Sequence, residues 1–282
     1  MAYCYTEKHV AIGPNKILVC IESQGSGEHF LSLFDGFLVP SPLKHNRPDF
    51  TINLRAHSRP PASSDTISPE PIILPIARHC FSLKWRFIIG QIDLSKNTMD
   101  LDVYDKHFVF NAALRIGLFF CVLRCGGIML HAAGVVVPPA TPLVFSGRSG
   151  SGKTTIAKDA IRRFTQTELL SDEIVLLQRG ADKSIYAHST PFWGELQVKG
   201  KKQDSPLERL YFIHKDSFNR TQPLTKQKLV SRLAENTMTF CRTPPSVQFT
   251  LGTIAGIAEE IPGFDLHLSR DLSFWDTLDL EG

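Results

Sequence analysis

Leu143-Val-Phe-Ser-Gly-Arg-Ser-Gly-Ser-Gly-Lys-Thr-Thr155 carries the strongest pattern in the chain. A short apolar run, Leu143 to Phe145, leads straight into glycines, and Gly147 to Thr154 matches G-x-x-x-x-G-K-[ST] in full. Gly147, Gly150 and Gly152 let a backbone wrap a phosphate without Cβ clashes. Its amides then converge on an anion, and a following helix adds the positive end of its dipole. Lys153 is expected to reach the β and γ phosphates, and Thr154 to offer its hydroxyl to Mg²⁺. Ser149, Ser151 and Thr155 complete the expected nucleotide-binding set. The plainer reading is a Gly/Ser-rich linker; the flanking apolar strand and helix, Thr154 to Phe164, argue against it.

Downstream, Leu169-Leu-Ser-Asp-Glu173 reads as a strand, begun at Glu168, that ends in two acids. In open α/β sheets ligands bind at the carboxyl ends of strands, so Asp172 is expected to face Mg²⁺ or an acceptor hydroxyl. Glu173 points to the other side if the strand continues. A solvated strand-end pair is the alternative. Upstream, Ile128 to Val137 reads as a strand carrying His131 beside the small residues Ala132, Ala133 and Gly134. That histidine is either a satisfied core residue or part of the site. Pro138, Pro139 and Pro142 mark a tight connection into the loop strand.

Together these features resemble the catalytic domain of the HPr kinase/phosphorylase family, which is related in fold to the phosphoenolpyruvate carboxykinases. The shared order is a strand His, a Pro-rich turn, Gly-x-Ser-Gly-x-Gly-Lys-Thr and then a Leu-Leu-Ser-Asp strand end. It covers residues 108 to 215 well and the C-terminal end loosely. The resemblance implies that Lys153 binds phosphate and Thr154 binds Mg²⁺. It implies that Asp172 is the base or a metal-side carboxylate, and that His131 lies near the γ phosphate and orients Asp172. Glu173 stands where the family has a second Asp; with Thr154 and Asp172 it makes up the expected metal set. The expected catalytic set is Asp172, His131 and Lys153. The family's downstream glycine-rich signature is replaced by His188-Ser-Thr-Pro-Phe-Trp-Gly-Glu195, which is similar to HPr-kinase-like proteins that phosphorylate peptides. HPr itself is therefore not the expected substrate.

In Thr190 to Glu195, Trp193 lines the site and Glu195 stands near the metal or acceptor, or the stretch is only a packed turn. Val198-Lys-Gly-Lys-Lys202 is a solvated basic loop or a lid that meets phosphate. Strands are expected at Ile174 to Leu177 and Leu210 to Ile213, and helices near Lys226 to Glu235 and Val247 to Ile257. Arg270 to Asp276 anchors the terminus by burying Phe274 and Trp275.

Residues 1–105 read as a β-rich N-terminal domain, with strands at Ile17 to Ile21, Asp49 to Leu54 and Trp85 to Ile92, and a hairpin around Asn97 to Val103. Ser58 to Asp65 is a Pro- and Ser-rich loop. The pattern changes near Phe108, where Phe110 to Arg124 reads as a buried helix stopped by Gly126-Gly127. Residues 106–282 then form the expected P-loop nucleotide-binding domain, so the fold class is α/β of HPr kinase/carboxykinase-like type.

The 282 residues are 43% hydrophobic and 21% charged, ordinary for a globular chain that can bury a large core. A net charge of +3, from 31 basic and 28 acidic residues, favours neither nucleic acid nor membrane as partner. The N-terminus MAYCYTEKHV lacks a signal peptide's basic start and apolar core, and the longest apolar run, Gly117 to Leu123, lies between Arg115 and Arg124. A cytoplasmic location is the expectation. Six cysteines form no disulfide framework or zinc knuckle; Cys121 and Cys125 share a helix face, as two buried thiols or as a metal or redox pair.

The expected reaction is in-line transfer of the γ-phosphoryl group of ATP, with Mg²⁺, to a hydroxyl of a protein or peptide serine or of a small compound. A homo-oligomer accords with the resemblance. Three rivals remain at this level: a phosphorylase or carboxykinase-like activity, a nucleotide-sensing module, and a plain NTPase. No base-reading motif separates ATP from GTP.

Overall fold

The computed structural model describes residues 4–24, 32–40, 47–61, 68, 70–138, 141–269 and 273–278. Parts of two expected features therefore lie outside the described residues: 62–65 of the Pro/Ser-rich loop and Pro139. So do Arg270 and Asp271 at the terminal anchor. The chain is mixed α/β with two large mixed sheets, in two compact units: residues 1–125 with 240–242, and the remainder.

The first unit holds β1 (Cys4–Ile12), β2 (Asn15–Ser23), β3 (Leu38–Val39), β4 (Phe50–His57), β5 (Ile72–Ala77), β6 (Cys80–Trp85), β7 (Ile88–Asp93) and β8 (Thr98–Tyr104). They form one sheet in the order β3-β1-β2-β4-β8-β7-β6-β5. Only the β2–β4 and β4–β8 pairs are parallel. Alternation along β4 buries Phe50, Ile52, Leu54 and Ala56 on one face. Helix α1 (His107–Arg124) packs against β2, β4 and β8. Its glycine is required at the contact: a Cβ on Gly117 would stand 2.3 Å from Ile52 Cδ1.

This packing moves the unit boundary. The helix expected to open the second domain at residue 106 belongs to the first unit, and the division falls after Cys125. The helix is long and apolar enough to cross a membrane by length and composition, yet 61% of it is buried within the protein. Two local readings also change. The single strand expected over Trp85 to Ile92 is a hairpin, because Arg86 adopts φ 44° and Trp85 pairs with Ile88. Cys125 is exposed where α1 ends, so of this pair only Cys121 is buried.

The second unit runs β9 (Gly127–Val137), β10 (Thr141–Ser146), α2 (Lys153–Arg163), β11 (Glu168–Ser171), β12 (Ile174–Arg179), β13 (Ile185–His188), β14 (Asp204–Pro206), β15 (Leu210–Lys215), β16 (Arg220–Pro223), α3 (Lys226–Asn236), α4 (Pro244–Glu260) and β17 (Gly263–Leu268). The sheet order is β14-β13-β12-β9-β10-β15-β17-β16, and β11 also pairs with β9. Here β10, β15 and β17 are mutually parallel, so their carboxyl ends meet along one edge. The central strand β9 is buried along nearly its whole length, as a strand covered on both faces must be. Side chains on one face of the sheet pack with α3 and α4, and those on the other with α2 and the terminal 3₁₀ turn Ser273–Thr277.

That turn is the terminal anchor. Phe274 and Trp275 are buried, and Trp275 Nε1 donates to Asp159 Oδ2 on α2 at 2.7 Å. Trp275→Phe keeps most of the apolar burial but leaves a buried carboxylate oxygen short of a donor. The expected loss is about 1–3 kcal/mol, read as a lower denaturant midpoint with an unchanged slope.

Candidate functional site

The glycine loop leaves β10 at the carboxyl edge of the three parallel strands and enters α2. Gly147, Gly150 and Gly152 have φ of 155°, 74° and 110°. Gly150 and Gly152 lie squarely in the left-handed region, which a side-chain-bearing residue adopts only with strain. No side chain caps α2, so its first-turn amides are left to serve whatever occupies the loop. Ser149 to Ile156 line a cavity of about 590 Å³, well within the range of small-ligand sites.

Lys153 is only 6% exposed, and its Nζ donates to the carbonyls of Gly147 (2.8 Å) and Arg148 (3.1 Å). Burial pushes its pKa below the usual lysine value; the carboxylates of Glu173 and Glu195 act in the opposite direction. The ammonium is thus held charged partly by two acids of the same cavity.

The acidic pair sits in an irregularity rather than in a strand. β11 and β12 pair in turn with the same side of β9, with Ser171 opposite Gly134 and Ile174 opposite His131. Asp172 and Glu173 fall in the break. Ser171 holds it open: its hydroxyl accepts from the amides of Glu173 and Ile174, both at 3.0 Å, and donates to Phe192 O at 2.9 Å. Strand alternation no longer applies across this break. Asp172 and Glu173 therefore both border the cavity; the strand does not continue, so the condition for Glu173 to turn away is not met.

The two acids differ in their partners. Asp172 is 2% exposed; Oδ1 accepts from Gly194 N at 2.7 Å and Oδ2 from Leu196 N at 2.8 Å. Glu173 Oε2 stands 4.0 Å from His131 Nε2, with both side chains partly exposed. The expected pairing of His131 with Asp172 is thus replaced by one with Glu173.

The loop after β13 supplies Glu195 to the cavity, while Trp193 instead packs against Lys199, whose ammonium is 5.6 Å from the ring centroid. The basic stretch 198–202 is pinned to β11. Lys201 N donates to Leu169 O at 3.1 Å, and its ammonium meets Glu168 Oε1 at 3.0 Å. A Cβ on Gly200 would come within 1.8 Å of Leu170 O. Val198, Lys201 and Lys202 stay exposed, as a solvated loop requires, while Gly200 is buried and the backbone docks on β11.

Sequence reading missed Lys215, Asp216, Leu268 and Ser269, which line the cavity beyond the glycine loop. The signal was present in Leu210 to Ile213, an apolar strand running into Lys215-Asp216, by the same strand-end logic that found Asp172. A second groove, about 570 Å³, runs along α4 past Phe249, Gly252 and Gly256; Arg179 is the one charged residue that lines it.

The oxygen donors of the cavity are of the type a hard cation takes. Thr154, Glu173 and Glu195 border one cavity, but no group of three His, Cys, Asp or Glu among the described residues holds an ion by itself. Mg²⁺ typically keeps waters and is shared between one or two carboxylates and substrate phosphates.

No protein-family model matches the chain, and no curated protein matches it.

Gly200→Ala should lift the basic segment from β11. Trypsin is then expected to cleave after Lys199, Lys201 or Lys202 several-fold faster than in the native protein, with the α2 and α4 regions still protected. Cleavage at the native rate would mean the segment does not depend on this close approach.

Proposed function

We propose that the chain binds Mg–ATP in the glycine-loop cavity and transfers the γ-phosphoryl group to a hydroxyl of a protein, a peptide or a small compound. The observation that carries this reading is the convergence of three elements on one cavity. A glycine loop with left-handed glycines opens onto an uncapped helix; a buried lysine follows; and a histidine–carboxylate pair faces them. A phosphate site alone serves binding. The Glu173–His131 pair adds a group able to take a proton.

In this reading the loop amides and Lys153 hold the phosphates and offset their charge. Thr154 would hold the Mg²⁺ that accompanies the nucleotide, with Glu195 in the same cavity, and the ion would supply further charge neutralisation. The acceptor hydroxyl gives its proton to the Glu173 carboxylate as its oxygen bonds to the γ phosphorus, and ADP leaves. His131 keeps Glu173 oriented. Asp172, expected from sequence as the base, instead has both oxygens engaged by main-chain amides.

The test is transfer from γ-labelled ATP with Mg²⁺ to a serine-peptide pool and cell extract. Lys153→Ala should lower nucleotide affinity at least tenfold, as loss of a charge-assisted phosphate contact implies. Glu173→Gln should retain ATP binding and lose labelled acceptor. Binding that survives Lys153→Ala unchanged would sink the reading. Label released only as inorganic phosphate would favour an NTPase, and binding without any turnover a sensor.

The lowered Lys153 pKa has a pH consequence. Phosphate binding needs the ammonium, so ATP affinity should begin to fall, as pH rises, below the range where an ordinary lysine deprotonates. In Glu173→Gln one stabilising carboxylate is gone, and the fall should begin at still lower pH. A titration of fluorescent ATP across alkaline pH reads both.

A further inference from the structure

We infer that Asp172 is a positioning residue that fastens the Gly194–Leu196 segment, so that Glu195 presents a second carboxylate to the cavity; this rests on the Mg–nucleotide reading above. The hydrogen bonds are specific to that task. Asp172 accepts from the amides of residues 194 and 196, the two that flank Glu195, at 2.7 and 2.8 Å. These distances are those of charge-assisted bonds. Glu195 itself lines the cavity and acts on the Lys153 ammonium in the same direction as Glu173.

The segment is shaped to receive this carboxylate. A Cβ on Gly194 would stand 3.0 Å from Asp172 Oδ2 and 3.1 Å from Glu173 Oε2, so a side chain there would push between the two acids. The same loop is tied before this point by Thr190 Oγ1 to Ile174 O and by Phe192 O to Ser171 Oγ. It is tied after it by Lys201 N to Leu169 O. Asp172 supplies the fastening between those ties, at the one stretch that carries an acid into the cavity. A buried carboxylate near two others is unfavourable unless donors compensate it, and the two amides are those donors.

Asparagine cannot replace it. Its amide offers one acceptor oxygen and, on the other side, an NH₂ that would face a backbone N–H. Asp172→Asn therefore releases one end of the segment while keeping size and shape.

The experiment compares wild type, Asp172→Asn, Glu195→Gln, the double variant and Lys153→Ala. It titrates Mg²⁺ against binding of a fluorescent ATP analogue, and follows hydrogen exchange of the unliganded proteins. Each of Asp172→Asn and Glu195→Gln should raise the half-saturating Mg²⁺ concentration about tenfold, and the double variant should be no worse than either alone, since both act through one carboxylate. Amides 194 and 196 should lose protection in Asp172→Asn while β11 and β12 keep theirs, which also shows that the variant folds. Native Mg²⁺ dependence in Asp172→Asn, or effects that multiply in the double variant, would overturn the inference and leave the nucleotide reading standing. If Asp172→Asn does not fold, native Mg²⁺ dependence in Glu195→Gln overturns it instead. Native nucleotide affinity in Lys153→Ala would overturn the nucleotide reading, and this inference with it.

Discussion

The break between β11 and β12 is the constraint on which the site depends. A continuous strand beside β9 would send Asp172 and Glu173 to opposite faces of the sheet. Instead the Ser171 hydroxyl takes the two amides that the ladder leaves over and gives its own proton to Phe192 O. One small side chain thus satisfies the backbone at the break and draws in the loop that carries Glu195. The break is affordable because β9 stays paired on its other side, with β10 from Ala132 to Val137.

The electrostatics of the cavity follow from this geometry. A lysine as buried as Lys153 tends to lose its proton, and an isolated buried carboxylate tends to gain one. Here Glu173 and Glu195 lie where they support the lysine, while Asp172 is compensated by main-chain donors. The positive loop amides then face a cavity of mixed charge. Such a site suits an anion that brings its own cation better than a bare anion.

Much of the second unit was legible because each element has a local cause. The glycine loop is marked by its spacing, α2 by the helix formers after Lys153, and β9, β10 and β15 by apolar runs between turn residues. The first unit was less legible. The turn at Arg86 uses a left-handed residue that is neither Gly nor Asn, so nothing in Trp85 to Ile92 announces it. The edge strand β5 is exposed and carries little apolar alternation, as do the short edge strands β14 and β16 of the second unit. The compact units divide away from residue 106 for a different reason. An apolar helix must be covered, but its pattern does not say by which sheet; Ile52 and Met99 around Gly117 decide that.

By itself, the sequence determined that a glycine loop with Lys153 and Thr154 lies between a strand and a helix, and that His131 and an acidic pair lie nearby in the chain. These are short-range facts, set by conformational freedom at glycine and by residue period. Tertiary structure alone decided which acid meets His131 and which is held by amides. Those outcomes depend on hydrogen bonds between segments some twenty residues apart, such as Asp172 to Leu196. No local pattern encodes either, because the partners are chosen by which backbone groups the sheet leaves unpaired.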